Sequence, residues 1–158
     1  MTLCAAPASA ADAAGAYPQR PITIVVPFGA GGSADVYARY LGEQLQKQFG
    51  QSVVVENKPG GNGAIAAAFV GRARPDGQTL FLSSVGAISI NPSLYPKLIY
   101  DPAHDFVPVS LLVSVPEVLI VGPGSAAKDA KAFVAQAKSG DVSMASSGVG
   151  SMPHMAMV

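Results

Sequence analysis

Residues 21–49 read PITIVVPFGAGGSADVYARYLGEQLQKQF, which predicts a buried strand, a glycine-rich loop and an amphipathic helix in direct succession. The strand covers Ile22–Val26, and the helix begins at Ser33. The loop between them contains the glycines Gly29, Gly31 and Gly32. A helix N-terminus presents unpaired backbone N–H groups and partial positive charge, and glycine lets a ligand approach the backbone closely. The stretch therefore predicts a site for a carboxylate or a phosphate.

Two other interpretations of this loop stay open. Glycine is also common in tight strand-to-helix turns that bind nothing. The loop further satisfies the dinucleotide fingerprint G-x-G-x-x-A through Gly29, Gly31 and Ala34. Glu56 ends the next predicted strand about twenty residues later, where a ribose-binding acid belongs in that fingerprint. A Rossmann-like NAD-dependent oxidoreductase fragment is therefore the alternative hypothesis.

Composition limits the classes of function. The chain has 158 residues, of which 49% are hydrophobic and 13% charged, and its formal net charge is zero. This length suits one domain or slightly more. Balanced charge supplies no basic field for nucleic acid, so none is expected as a partner. With 2 histidines, 1 cysteine and no clustered acids, the sequence shows no metal-ligand spacing, and we expect neither a metal nor a cofactor.

The first 16 residues, MTLCAAPASAADAAGA, are small and rich in alanine. Ala8-Ser9-Ala10 has the A-x-A form of a secretory cleavage site. We interpret residues 1–16 as the remnant of a signal peptide or as a disordered tail, and we expect export. Cleavage at this site would remove Cys4 and leave a mature chain without cysteine.

The rest of the chain alternates strand and helix patterns, which is typical of a mainly parallel sheet with helices on both faces. The predicted strands are Ile22–Val26, Val53–Glu56, Thr79–Ser83, Val107–Val113, Glu117–Val121 and Val142–Ser146. The predicted helices cover 33–49 and 64–74, and another begins at Ser125. The chain stops a few residues into a further helix, and we therefore interpret it as a fragment.

Apolar spacing predicts which side of each early helix faces inward. On the first helix the expected inward residues are Ala34, Tyr37, Leu41, Leu45 and Phe49, with Gly50 as the C-terminal cap. On the second they are Ile65, Phe69 and Ala73, with Asn62 as the N-terminal cap. Asp35 is expected to lie off the apolar side of the first helix.

Six ordered blocks between Tyr17 and Val158 carry a family resemblance. They are Phe28-x-x-Gly31-Gly32-x-x-Asp35-x-x-Ala38-Arg39, Val55-Glu56-Asn57-Lys58-Pro59-Gly60, Pro75-Asp76-Gly77-x-Thr79-Leu80, Ile90-Asn91-Pro92-x-Leu94-Tyr95, Tyr100-Asp101-Pro102-x-x-Asp105-Phe106-x-Pro108-Val109 and Ala145-Ser146-Ser147-Gly148-x-Gly150-Ser151-x-x-His154. In this order the blocks resemble the substrate-binding proteins of tripartite tricarboxylate transporters, also called the Bug family. The order of six blocks is far more specific than one glycine loop.

The resemblance implies an α/β fold of the periplasmic binding protein type II kind, with two α/β domains around a cleft. Domain 1 would cover residues 17–116, and residues 117–158 would begin a second domain that is incomplete in this chain. The resemblance also implies a protein that is not an enzyme. It would capture a small di- or tricarboxylate, or a related acid, in the periplasm and pass it to membrane permease subunits. A sensor kinase is a further candidate partner.

The resemblance places candidate ligand-binding residues in three loops. The first loop contributes Phe28, Gly31, Gly32, Ser33 and Asp35; the end of the third strand contributes Ser83, Ser84 and Gly86; the second-domain loop contributes Ser147, Gly148, Gly150, Ser151 and His154. Backbone N–H groups of Gly31, Gly32 and Ser33 are the expected donors. Two interpretations of Asp35 are equally favoured: contact with the ligand, and the general preference of acidic residues for the first turn of a helix. His154 is assigned to packing or to a ligand hydrogen bond rather than to catalysis, because no nucleophile elbow accompanies Ser151.

Overall fold

The computed structural model describes residues 17–140 and 142–158, so the predicted secretion signal and Cys4 lie outside the described residues. The strands are β1 (Ile22–Val26), β2 (Val53–Asn57) and β3 (Thr79–Phe81). The α-helices are α1 (Ser33–Phe49), α2 (Ala64–Gly71), α3 (Asn91–Leu94), α4 (Ala130–Lys138) and α5 (Met152–Met155). A 3₁₀ turn, Gly61–Gly63, precedes α2, and a π-helical turn, Gly86–Ile90, precedes α3.

The three strands form one parallel sheet in the order β2-β1-β3. Ile22 lies opposite Val53, and Thr23 lies opposite Thr79. The central strand is almost entirely apolar and buried, as expected for a parallel strand that is covered on both faces. Because the strands run in the same direction, the loops that follow them all leave the sheet at its carboxyl edge.

Helix α1 begins and ends where the sequence predicts. Its last carbonyls are closed by Gly50, which has a φ of 67° and donates its N–H to the Gln46 carbonyl oxygen. The predicted inward side is partly wrong. Ala38 is fully buried against β1, whereas Tyr37 is 38% exposed and Asp35 only 4% exposed. Leu41 and Leu45 pack against the sheet as predicted, and the helix approaches it most closely at Gly42, where a Cβ would lie 3.3 Å from Val53 Cγ1.

Helix α2 presents the opposite side from the one that apolar spacing predicts. Ala66, Ala67 and Ala68 are buried, while Ile65 is 51% exposed and Phe69 is 44% exposed. Two of them, Ala67 and Ala68, form a cluster with the rings of Phe81, Tyr100 and Phe106. These rings fill the space above the sheet, so only a helix side made of small residues fits against them. The helix also ends at Gly71 rather than at Arg74.

The loop between β2 and α2 has an unusual backbone. Gly60, Gly61, Asn62 and Gly63 all have positive φ, with values of 126°, 56°, 50° and 87°. Glycine reaches this left-handed region without penalty, and asparagine is among the few other residues that tolerate it. Asn62 therefore does not cap α2 as predicted, since Gly63 occupies the capping position.

The strands predicted at Val107–Val113, Glu117–Val121 and Val142–Ser146 are wrong for the part of the chain that the structure describes. A strand persists through hydrogen bonds to a neighbouring strand, and none of the described strands lies beside these segments. Residues 107–121 are exposed along their whole length despite their apolar composition. The predicted domain boundary near residue 116 falls within this segment and stays a prediction.

Helix α4 begins later than the predicted start at Ser125. Its N-terminal cap is Asp129, whose side chain accepts a hydrogen bond of 2.7 Å from the Ala132 N–H. Among the described helices, none has the length and apolar character needed to cross a membrane.

Candidate functional site

Loops from all three strands meet at the carboxyl edge of the sheet. The first loop, residues 27–32, follows the central strand β1 and is flanked by the loops after β2 and β3. All three loops come together at Gly63. A Cβ atom there would lie 3.3 Å from the Pro27 Cβ and 3.0 Å from the Ala87 Cβ. The crevice outside the carboxyl ends of parallel strands is where α/β proteins commonly bind ligands.

The first loop leads into an open helix N-terminus. Gly32 occupies the N-cap position of α1, and within the described chain no side chain caps that end. A Cβ added at Gly29 or Gly31 would meet no atom within 4 Å, and Phe28 is 39% exposed. The first backbone N–H groups of this 17-residue helix thus have no side-chain cap, and the space beside the preceding loop is open. This arrangement suits a small anion.

Asp35 holds the first loop in place. Its Oδ2 accepts hydrogen bonds from the Gly31 N–H and from Arg39 Nε, both at 2.9 Å. Its Oδ1 accepts from Arg39 Nη2 and from Asn57 Nδ2, both at 3.0 Å, and Asn57 Nδ2 also donates to the Phe28 carbonyl oxygen at 3.1 Å. The loop is therefore tied to α1 and to the end of β2.

This network bears on two expectations. Asp35 is buried and accepts hydrogen bonds from donors within the protein, so its contact with a ligand stays a prediction, beside a role in holding the first loop. The Gly31 N–H is engaged by Asp35, which leaves Gly32 and Ser33 as the expected donors of the first loop. Sequence reasoning missed Asn57, although its place at the end of β2, beside the central strand, was a usable signal.

The carboxyl of Asp35 is strongly acidic. The hydrogen bond from Arg39, followed by those from Gly31 and Asn57, lowers the pKa of Asp35 to about 2. Arg39 also balances the negative charge of Asp35 at a distance of 2.9 Å. The negative charge of Asp35 beside the helix N-terminus is thus balanced by Arg39 within the protein. This balance reduces the repulsion between Asp35 and a bound anion.

Replacing Asp35 by asparagine is expected to weaken the acid dependence of stability. Aspartate has a pKa of about 3.9 in an unfolded chain and of about 2 here, so ionised Asp35 stabilises the fold fully above pH 4. This stabilisation is lost as the pH falls from about 4 to about 2. Urea unfolding at pH 5, 3 and 2 measures it. Glu43→Gln, an exposed change on the same helix, is the control. Equal pH dependence in Asp35→Asn and wild type would contradict the assignment.

The loop after β3 supplies the second group of candidate residues. Because β3 ends at Phe81, Ser83 and Ser84 lie in the loop and not in the strand. The Ser84 Oγ accepts a hydrogen bond from the Ala87 N–H at 3.3 Å and so helps to close the π-helical turn. Gly86 is buried, and a Cβ there would lie 2.6 Å from Asn62 Nδ2. Gly86 therefore packs closely against Asn62, and ligand contact by Gly86 and by the two serines stays a prediction.

The third group, from Ser147 to His154, lies in the turn that leads into α5. The Ser151 Oγ donates to the Gly148 carbonyl oxygen at 2.6 Å and accepts from the His154 N–H at 3.3 Å. The Gly150 N–H donates to His154 Nδ1 at 3.4 Å. Ser151 meets the backbone of His154 and not its ring, so the two do not form a nucleophile and base. Ser147 and Gly148 are exposed.

Glu56 and Asn62 take roles that the sequence did not indicate. The Glu56 Oε1 lies 2.7 Å from Lys58 Nζ, so the acid required by the dinucleotide fingerprint is engaged by a neighbouring lysine. Asn62 Nδ2 donates to the Gly150 carbonyl oxygen at 2.8 Å. That bond joins the loop after β2 to the turn before α5. The sequence feature that could have indicated a special role for Asn62 is its position between two glycines.

Solved structures with the same fold are solute-binding proteins. MatC from Rhodopseudomonas palustris, solved with bound malate, is 38% identical over 78% of this chain and 42% of MatC, with a TM-score of 0.71. Rpa4515 from R. palustris, solved with adipate, is 35% identical with the same coverage of 78% and 42% and the same TM-score of 0.71. The predicted fold class is thereby confirmed for the part of the fold that this chain covers.

Sequence comparison identifies the family. A family model described as "Tripartite tricarboxylate transporter family receptor" matches residues 37–158. The protein BugT of Bordetella pertussis is 42% identical over 142 residues, which cover 88% of this chain and 44% of BugT. The chain belongs to the tripartite tricarboxylate transporter receptor family, and the resemblance seen in the six blocks is confirmed. Members of this family are periplasmic solute-binding receptors and not enzymes.

The chain spans less than half the length of these relatives, namely 42% of MatC and of Rpa4515 and 44% of BugT. The alternative hypothesis of an NAD-dependent oxidoreductase fragment finds no support in the comparisons.

Proposed function

We propose that this chain carries the carboxylate-binding part of an extracytoplasmic solute-binding protein, which captures a small di- or tricarboxylate for a tripartite tricarboxylate transporter. The observation that supports this most directly is the open N-terminus of α1, capped only by Gly32, at the carboxyl edge of the central strand. Two relatives were solved with malate and with adipate, which are both dicarboxylates.

In this proposal one carboxylate of the ligand accepts hydrogen bonds from the Gly32 and Ser33 N–H groups at the start of α1. The helix dipole adds to these bonds, since both act on the same end of the helix. Asp35 contacts no ligand atom but fixes the loop through the Gly31 N–H. Hydroxyl groups of Ser83 and Ser84 border the same crevice, and polar atoms of the turn at Ser147 to Ser151 receive the other end of the ligand.

The wider setting follows from the family. The whole protein would act in the periplasm, where the secretion signal proposed for residues 1–16 would direct it, and would deliver its ligand to membrane permease subunits. Domain 1 would cover residues 17–116, and residues 117–158 would begin domain 2. Nothing in the comparisons favours a sensor kinase as an additional partner.

A thermal-shift titration tests this function directly. A ligand that binds only the folded state stabilises it by RT ln(1 + [L]/Kd), which is about 2.7 kcal/mol when the ligand is at 100 times its Kd. We expect malate, adipate or citrate to raise the Tm of the purified chain, and of a version extended to the family length. Neutral sugars at the same concentration are the control. A shift with NAD alone, and none with carboxylates, would overturn the proposal in favour of the dinucleotide fingerprint.

A further inference from the structure

Two asparagines and a tyrosine form a buried hydrogen-bond network behind the candidate site. Asn62 Nδ2 donates to Asn91 Oδ1 and to the Gly150 carbonyl oxygen, both at 2.8 Å. Asn91 Nδ2 donates to the Asn62 carbonyl oxygen at 3.1 Å and to Tyr100 Oη at 3.0 Å. Tyr100 Oη in turn donates to the Ala87 carbonyl oxygen. Each amide nitrogen thus makes two hydrogen bonds, which is its full donor capacity.

The part of the network formed by Asn91 and Tyr100 is buried, and Asn62 is half-buried. Asn91 is completely buried, Tyr100 is 7% exposed, and burial raises the pKa of Tyr100, so its hydroxyl stays protonated as a donor. Buried polar groups of this kind are costly when they lose a partner, and they permit one arrangement much better than any other. The position of Asn62 is therefore closely defined by its neighbours.

The network joins segments that are far apart in the sequence. The bond from Asn62 to Gly150 spans 88 residues, and the bond from Asn62 to Asn91 spans 29. Gly150 fits closely at this junction, because a Cβ there would lie 2.9 Å from both Asn62 Nδ2 and Leu94 Cδ2. Gly150 and Ser151 are buried, although the neighbouring residues Ser147 and Gly148 are exposed. The turn Ser147–Ser151 is thus held at Gly150, while its first residues, Ser147 and Gly148, remain exposed to solvent.

We propose that Asn62 is a positioning residue that docks the turn Ser147–Ser151 onto the loops after β2 and β3, and so sets the separation between the two ligand-binding turns. This inference rests on the proposed function, in which that turn receives one end of the carboxylate. Asn62 has no ligand contact in this role. Its left-handed backbone, with a φ of 50°, aims the amide at the Gly150 carbonyl group and away from the start of α2.

Two substitutions of Asn62 remove its amide donor and keep its left-handed backbone. Asn62→Asp keeps the size and the tolerance of positive φ, but it places a carboxylate oxygen opposite the Gly150 carbonyl oxygen. Asn62→Gly removes the side chain and keeps the left-handed backbone without strain. Ser89→Ala, an exposed change in the π-helical turn, is the matched control.

The first readout is amide hydrogen exchange of residues 148–155 in the protein without ligand, which reports local opening. We expect exchange to be about five to ten times faster in both Asn62 variants, as follows from the loss of a hydrogen bond of ordinary net strength. Exchange within β1 should change little, because the sheet does not depend on this contact. Unchanged exchange at 148–155 in both variants would overturn the docking role.

The second readout is the affinity and dissociation rate of malate. Both Asn62 variants should release malate about five to ten times faster, since the second turn is no longer held at its working distance. Faster exchange with unchanged malate affinity would overturn the functional part of the inference and leave a structural contact. If wild type binds no carboxylate, the proposed function fails, whereas hydrogen exchange still decides whether Asn62 docks the turn.

Discussion

Gly32→Val is expected to reduce the affinity for a dicarboxylate by about a hundredfold or more, which corresponds to the loss of about two charge-assisted hydrogen bonds. Gly32 lies at the open end of α1 with a φ of −76° and a ψ of 169°, an extended conformation that valine adopts readily. A Cβ there would have the Gly29 carbonyl oxygen as its nearest neighbour, at 3.6 Å, which is an ordinary contact. The new side chain therefore fits the fold but obstructs the approach of a ligand to the backbone N–H groups.

Calorimetric titration with malate measures this loss, and the Tm shows whether the fold is intact. A valine at the N-cap should cost no more than about 1 kcal/mol, or about 4 °C in Tm. Gly122→Val is the matched control, because that glycine has open space around it and lies outside the three loops. An affinity in Gly32→Val equal to that of wild type would show that the first loop is not the binding site.

Gly63→Ala is expected to destabilise the protein by about 3 kcal/mol through two effects that add. The residue has a φ of 87°, and a left-handed conformation costs an ordinary residue about 1–2 kcal/mol. The added methyl group would also lie 3.0 Å from the Ala87 Cβ and 3.3 Å from the Pro27 Cβ, and overpacking of this kind costs about 1–3 kcal/mol. Urea unfolding at neutral pH measures the total.

Gly50→Ala provides the comparison that isolates the contact between loops. Gly50 also has positive φ, at 67°, but a Cβ there would meet no atom within 4 Å. Its substitution should cost only the backbone strain, about 1 kcal/mol. The difference between the two variants then measures how tightly the loops after β1, β2 and β3 pack at Gly63. Equal destabilisation of both variants would show that this junction can relax freely.

The sequence was informative where one local cause decides the structure. The strand Ile22–Val26 follows from a run of β-branched residues that are apolar except for Thr23, and the end of α1 follows from Gly50, since both signals act within a few residues. The open loop between them was predictable for the same reason. The family resemblance added the positions of the second and third loops, which no periodicity could have supplied.

The inward sides of the helices could not be predicted because distant residues decide them. The buried Asp35 accepts hydrogen bonds from Gly31 and Arg39 nearby and also from Asn57, which lies 22 positions away and is not visible to a local pattern. The orientation of α2 depends on the rings of Tyr100 and Phe106, which occupy the space that the apolar pattern assigned to Phe69. A hydropathy pattern records whether each residue prefers burial or solvent. It does not record which distant residues occupy the space beside the helix.

The strands predicted between residues 107 and 121 show the same limit in another form. Their composition favours β structure, yet a strand requires hydrogen bonds to an adjacent strand. In the described part of the chain these residues stay exposed, with Val107 at 88% and Ile120 at 82%. Strand propensity alone therefore led to a wrong prediction for these residues.

The left-handed run from Gly60 to Gly63 has a consequence for how such a protein can diversify. Three of its four positions admit only glycine without strain, and the fourth needs a residue that combines an amide with a tolerance of positive φ. We therefore expect most point mutations in this segment to destabilise the protein. Under the proposed function, changes of ligand preference are expected instead at exposed positions beside the crevice, such as Phe28 and Ser83.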